Sequence, residues 1–115
     1  MKHLKSIVAL TVLAACLIGC GGKPSKMDDN TYNLGCKALE IMEDYNKMEI
    51  SNDEAYDQLD EIYNRLSDIE YDEDHFSEEL QNGLVKAYVL SYKVDMTSEK
   101  GLFEDTDNLR KTLNK

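Results

Sequence analysis

The most regular pattern in the chain lies in residues 51–69, which read SNDEAYDQLDEIYNRLSDI. Its apolar residues recur at the spacing of one face of an α-helix; they are Ala55, Leu59, Ile62, Leu66 and Ile69. Ser51 and Glu54 match a capping box, in which each side chain accepts a hydrogen bond from the backbone N–H of the other residue. The stretch therefore predicts an amphipathic helix that begins just after Ser51.

The residues before this helix show the same spacing. The repeating apolar positions are Leu34, Ala38, Ile41, Tyr45 and Met48. They predict a helix over residues 31–47, joined to the next helix by a short turn at residues 48–52. Two helices with so short a connection are expected to form an antiparallel hairpin.

A third helix is predicted to begin near His75, after a cap by Asp72 or Asp74. We expect its main inward stripe to be Phe76, Leu80, Leu84, Ala87 and Val94. Further apolar residues widen that stripe to most of the circumference; they are Val85, Tyr88, Val89, Leu90 and Tyr92. A helix that is apolar nearly all round is usually the one against which its neighbours pack. Gly83 is predicted to permit a close helix crossing there.

A short fourth helix is predicted over residues 102–114, with Leu102, Leu109 and Leu113 facing inward. No segment shows the alternation that is typical of a β-strand. The predicted fold class is therefore all-α: a small antiparallel helical bundle of three long helices and a short C-terminal helix, formed by residues 31–115.

The N-terminus has the order of a secretory signal peptide. Lys2 and Lys5 precede an uncharged, mostly apolar run that ends in Leu17-Ile18-Gly19-Cys20. This ending resembles the lipobox of bacterial lipoproteins. The resemblance implies that residues 1–19 are a lipoprotein signal peptide and that Cys20 receives a diacylglyceryl thioether and, typically, palmitate. It also implies that residues 20–30 form a flexible tether and that the protein lies at the cell membrane, lipid-anchored on the extracytoplasmic side.

A second cysteine competes with Cys20 for this role. Leu13-Ala14-Ala15-Cys16 also matches a lipobox. Cleavage before Cys20 leaves a polar, glycine-containing tether, whereas cleavage before Cys16 leaves apolar residues next to the anchor. The sequence therefore favours Cys20 and keeps Cys16 as the alternative. With Cys16 removed and Cys20 acylated, Cys36 is the only thiol left, so it cannot form an intramolecular disulfide.

Acidic residues dominate the chain after the signal peptide, which carries 11 Lys and Arg against 23 Asp and Glu. A net charge of −12 repels a polyanion, which excludes nucleic acid as a partner. One interpretation of the charge is a solvated helical surface. The sharper hypothesis is an interaction surface for a protein or a cationic peptide; the residues of that surface are Tyr56, Asp57, Asp60, Glu61 and Tyr63.

Residues 68–79 resemble the calcium-binding loop of EF-hand proteins. The carboxylates at its ligand positions are Asp68, Glu70, Asp72, Asp74 and Glu79. Glu73 stands where that family has its turn-forming glycine, and His75 stands where it has an aliphatic residue. These departures favour an acidic interhelical loop over a calcium site, and calcium remains the alternative. Nothing else in the sequence predicts a cofactor.

The sequence predicts a protein that is not an enzyme. His75 is the only histidine after the signal peptide, and no nucleophile–histidine spacing or glycine-rich phosphate loop stands out. The leading hypothesis is a membrane-anchored lipoprotein whose domain is a binding module outside the cytoplasmic membrane. The alternatives are calcium binding through residues 68–79 and a structural or accessory role in the cell envelope.

Overall fold

The computed structural model describes residues 22–115, so the predicted signal peptide and both candidate lipidation sites lie outside it. The described part contains four α-helices and a single 3₁₀ turn before the third, with no β-strand. The helices are α1 (Asp29–Asn46), α2 (Asn52–Ser67), α3 (Phe76–Asp95) and α4 (Leu102–Thr112), and the turn is Glu73–His75. The predicted all-α bundle of three long helices and a short C-terminal one is confirmed.

Side-chain caps explain where the first two helices begin. Asp28 accepts a hydrogen bond from the backbone N–H of Thr31 at 3.0 Å, and Ser51 accepts one from that of Glu54 at 3.2 Å. Such caps satisfy backbone donors that have no partner inside the helix. α3 differs, because the 3₁₀ turn precedes it and neither Asp72 nor His75 makes a side-chain cap. The predicted cap of α3 by Asp72 or Asp74 is therefore not formed.

α1 is the central helix of the bundle, because it contacts α2, α3 and α4. α3 likewise contacts the other three helices, whereas α2 and α4 do not contact each other. The buried side chains of α1 include Tyr32, Cys36, Leu39 and Met42. Met48 is 90% exposed, so the inward stripe predicted for α1 does not extend to it. Met27 is buried and joins the core from within the segment predicted to be a tether.

α3 is rotated around its own axis by about half a revolution relative to the orientation that its sequence predicts. Its core side contains Asn82, Val85, Val89, Tyr92 and Lys93. The predicted inward stripe is wrong, because all of its members are exposed; they are Phe76, Leu80, Leu84, Ala87 and Val94.

Hydrogen bonds from two polar side chains explain this rotation. The Tyr92 hydroxyl donates to the Met42 carbonyl oxygen at 3.0 Å and to Asn46 Oδ1 at 2.6 Å. Asn82 Nδ2 donates to the Leu66 carbonyl oxygen at 3.2 Å. Buried polar groups are costly unless they have partners, and these partners exist only with this side of α3 inward.

The two helical glycines have different surroundings. A Cβ on Gly35 would lie 2.8 Å from Leu113 Cδ2, so glycine is what permits the close approach of α1 to the end of α4. A Cβ on Gly83 would meet nothing within 4 Å. Gly83 therefore does not serve a helix crossing inside the described bundle, contrary to the prediction.

We expect Val89→Ala to lower the free energy of unfolding by about 2 kcal/mol, because it removes two methyl groups from the closed core. Val94→Ala is the matched control, since Val94 is 59% exposed and its truncation should change stability by less than about 0.5 kcal/mol. Urea denaturation followed by circular dichroism measures both. Equal losses, or a larger loss for Val94→Ala, would show that the assigned rotation of α3 is wrong.

Candidate functional site

The outer side of α2 carries the residues predicted to form an interaction surface. α2 buries Ala55, Leu59, Ile62 and Leu66, and the helical period therefore directs the intervening acidic positions to solvent. We call the exposed carboxylates of this side the acidic face; they are Asp53, Asp57, Asp60, Glu61 and Asp68. Asp53 lies in the first turn of α2 and Asp68 caps its last turn, so the acidic face runs the length of the helix.

Two tyrosines and one carboxylate of the predicted surface surround Lys93, which comes from α3. Lys93 Nζ lies 2.6 Å from Asp60 Oδ1 and is 4.9 Å and 5.5 Å from the ring centroids of Tyr56 and Tyr63. The Lys93 side chain is only 7% exposed. Tyr56, Asp60 and Tyr63 therefore form a lysine cage that is filled by a residue of the same chain, which neutralises Asp60 and covers one face of each ring.

The remaining predicted residues stay at the surface. Glu61 forms an ion pair with Arg65, one helical turn away, at 2.8 Å. Both side chains are 62% exposed, and exposed pairs of this kind contribute little to stability. Asp57 is exposed and has no ion-pair partner in the described part of the chain, as is also the case for Asp53 and Asp68. In the structure, three residues of the predicted surface therefore enclose Lys93; they are Tyr56, Asp60 and Tyr63. Asp57 and Glu61 remain exposed to solvent.

The acidic loop between α2 and α3 does not draw its predicted calcium ligands together. Within residues 22–115, no group of three or more His, Cys, Asp or Glu side chains could hold a metal ion. Asp72 instead contacts His75 Nδ1, and this hydrogen bond raises the pKa of His75 and lowers that of Asp72. Glu73 and His75 lie in the 3₁₀ turn, at two positions where the sequence departs from the EF-hand pattern.

Tyr71 holds this loop against the start of α1. Its hydroxyl donates to Asp28 Oδ1 at 2.5 Å and lies 2.9 Å from Thr31 Oγ1. Asn82 Nδ2 donates to the same Thr31 oxygen at 3.0 Å. Burial, and then the hydrogen bond to Asp28, raise the pKa of Tyr71 to about 12. The sequence analysis missed this network; Asn82, an amide at helical spacing from Val85 and Val89, was the signal that pointed to it.

A pair of carboxyl groups joins the end of α3 to α4. Asp105 is 7% exposed; Ser91 Oγ donates to its Oδ1 at 3.0 Å, and its Oδ2 has no hydrogen-bond partner in the described structure. Burial raises the pKa of Asp105, and the neighbouring Asp95 carboxyl raises it further. Asp95 also fills the space beside Gly101, where a Cβ would lie 2.7 Å from its Oδ2. Asp105 therefore retains its proton to a higher pH than an isolated aspartate does, because its pKa is raised.

An open cleft of about 380 Å³ lies between the end of α1 and the start of α4. At its mouth Met48 and Phe103 are 90% and 71% exposed. The Tyr45 hydroxyl donates to Glu99 Oε1 at 2.6 Å and accepts from Asn52 at 2.8 Å, so it is held in place. The lining is mostly apolar, and its single carboxylate is engaged with Tyr45; such a cleft offers contact area but no paired acid and base.

Comparisons with known proteins return no match: none of the protein-family models, curated proteins or solved structures resembles the chain closely enough to count as one. In residues 22–115, none of the helices combines the length and the apolar character needed to span a membrane.

We expect Asp60→Asn to lower the free energy of unfolding by about 1–2 kcal/mol, because it leaves the buried Lys93 ammonium without its carboxylate. Asp57→Asn is the matched control on the same helix and should change stability by less than about 0.5 kcal/mol, since Asp57 is exposed and unpaired. Thermal denaturation compares the two variants. If they have equal stability, the lysine cage does not hold the bundle together.

Proposed function

We propose that this chain is a lipid-anchored binding module on the extracytoplasmic side of the cell membrane and that the acidic face of α2 binds a cationic protein or peptide. The observation that carries the proposal is the set of open carboxylates on α2. Asp53, Asp57 and Asp68 are exposed and have no ion-pair partner in the described residues, although the same helix pairs Asp60 and Glu61 with basic groups of the chain.

The arrangement of these carboxylates favours an extended partner over a metal ion. Asp53 and Asp57 are four residues apart and therefore about 6 Å apart along the helix axis, and Asp68 lies about 16 Å further along. A calcium ion needs six to eight oxygen atoms at 2.3–2.6 Å around one point. Carboxylates spread along a helix instead match basic side chains spaced along a peptide or a protein surface, and their field speeds the encounter of opposite charges.

The position of the tether supports display of the Asp53 and Asp57 end of this face away from the membrane. Gly22 is exposed and lies seven residues before α1, at the end of the bundle where Tyr71 holds the acidic loop. Anchoring at Cys20 would bring this end nearest the lipid. α1 is 18 residues long, or about 27 Å, and α2 returns antiparallel to it, so the start of α2 lies far from the anchor.

The anchor has a direct test in cells that express the full chain. We expect Cys20→Ser to abolish incorporation of labelled palmitate and to release the protein from, or stall it at, the membrane, because the serine hydroxyl does not form the thioether. Cys16→Ser is the matched control and should incorporate the label normally. Loss of label in Cys16→Ser with retention in Cys20→Ser would assign the anchor to Cys16, four residues upstream. Retention of label in both variants would refute Cys20 as the required lipidation site.

The acidic face has a separate test, with the full chain in phosphatidylcholine vesicles and an oligolysine peptide as the probe. We expect the double variant Asp53→Asn, Asp57→Asn to weaken binding about fivefold to tenfold at low salt, because each lost carboxylate removes about 0.5–0.7 kcal/mol of attraction. Binding should also weaken steeply as salt is added. Fluorescence anisotropy of the labelled peptide measures the affinity.

The matched control for this experiment is the double variant Glu104→Gln, Asp107→Asn on α4, which changes the net charge by the same amount at exposed positions. It should bind the peptide with less than a twofold loss of affinity. Equal weakening by the two double variants would show that only the net charge matters, and the acidic face of α2 would then not be the binding surface.

A further inference from the structure

α3 carries an apolar seam on the side that faces away from the bundle core. We define the seam as Phe76, Leu80, Gly83, Ala87, Leu90 and Val94, all of which are exposed. Phe76, Leu80, Leu90 and Val94 expose 62%, 53%, 43% and 59% of their surface. Large apolar side chains aligned along one exposed side of a helix mark a candidate interaction site.

The spacing of the seam identifies the shape of its partner. Successive members are four, three, four, three and four residues apart. This is the repeat of the contact positions in a coiled coil, in which side chains of one helix insert between those of another. The seam therefore fits a second helix laid along α3, because a helix partner meets every member of such a repeat.

The order of large and small residues in the seam indicates that this second helix is another copy of α3. When two copies run antiparallel about an axis near Val85, Phe76 faces Val94 of the other copy and Leu80 faces Leu90. At the centre Gly83 faces Ala87. Large residues thus meet large ones at both ends, and small residues meet at the middle, where they let the two backbones approach closely.

Leu84 also supports a two-fold arrangement of the two copies. It is 43% exposed and lies beside the seam, one residue from the proposed axis. In the antiparallel pair it meets its own counterpart and covers the space left above the small central residues. A self-complementary patch in which residue i contacts j and j contacts i is the defining property of a two-fold interface.

The charges along α3 also favour an antiparallel second copy. Four acidic residues and no lysine or arginine lie between residues 73 and 79, whereas residues 86–100 contain three lysines and two acids. Lys93 is enclosed in the lysine cage, so the remaining charges of residues 86–100 are two lysines and two acids, which balance. A parallel pair would join the two acidic ends, whereas an antiparallel pair separates them and places each beside a segment without net charge. Lys86, which lies near the axis, is held 5.9 Å from the centre of the Tyr63 ring on its own chain.

We propose that α3 is a dimerisation helix and that two copies of this chain pair antiparallel through the seam. α3 has 20 residues and is about 30 Å long, so the contact covers a few hundred Å² on each copy. This is below the roughly 800 Å² per partner of a standard interface. The dimer is therefore weak and reversible. The proposal is independent of the acidic face, which belongs to α2.

Cysteine crosslinking in cells that express the full chain tests the geometry. Leu84→Cys lies at the axis, so a short bismaleimide should join two copies of this single variant. Phe76→Cys alone should give no dimer, because the two positions lie about 27 Å apart in an antiparallel pair. Phe76→Cys co-expressed with Val94→Cys should give a crosslinked dimer of the two variants. The unsubstituted chain measures the background from the protein's own cysteines.

A second pair of variants tests the apolar contact. Leu80→Glu combined with Leu90→Glu, in the Leu84→Cys background, should lower the crosslinked fraction at least about tenfold, because it puts charges into the middle of the seam. The control is Met48→Glu combined with Phe103→Glu, which changes two exposed apolar residues outside the seam. The control should crosslink as before, and melting temperatures should verify that both proteins are folded.

Three results would overturn the proposal. Leu84→Cys that crosslinks no more than the unsubstituted chain would show that the copies do not meet at the axis. Phe76→Cys that crosslinks alone as well as it does with Val94→Cys would show a parallel arrangement. A folded Leu80→Glu, Leu90→Glu variant that crosslinks as strongly as its control would show that another partner, such as the lipid surface, covers the seam.

Discussion

The rotation of α3 about its own axis is the constraint on which the rest of the structure depends. This helix has apolar residues on two opposite sides, and hydrophobic burial alone does not choose between them. Asn82 and Tyr92 determine which side is buried. A buried amide or hydroxyl without a hydrogen-bond partner is costly. The partners of these two side chains lie on α1 and at the end of α2. With that side inward, Val85 and Val89 complete the core.

The distribution of charge on the surface follows from the same rotation. It brings Lys93 between α2 and α3, where Asp60 and the rings of Tyr56 and Tyr63 enclose it. Asp60 of α2 therefore forms an ion pair that holds α2 to α3. The other carboxylates of the acidic face are exposed to solvent. At the start of α1, Tyr71 is turned inward to Asp28, so the loop that follows α2 is held by a hydrogen-bond network of the protein itself.

The two proposed surfaces lie on neighbouring helices and serve different contacts. Pairing through α3 would leave α2 of each copy uncovered, so a dimer would present two acidic faces to the same partner. Two weak contacts made together bind more tightly than either one, because the second forms at a high effective concentration. The large negative charge of each copy opposes pairing, and this is a further reason to expect a dimer that forms only where the local concentration is high.

The local spacing of apolar and capping residues was enough to predict four helices, the start of α2 at Ser51 and the all-α fold, because the helical period and backbone capping act over a few residues. It was not enough to predict which side of α3 is buried, what Tyr56 and Tyr63 contact, or that Tyr71 reaches Asp28. Those outcomes depend on partners 16 to 51 residues away in the chain. Sequence alone therefore determined the helices and the abundance of negative charge, and only the tertiary structure decided which groups meet, because a buried polar group must find its partner in space.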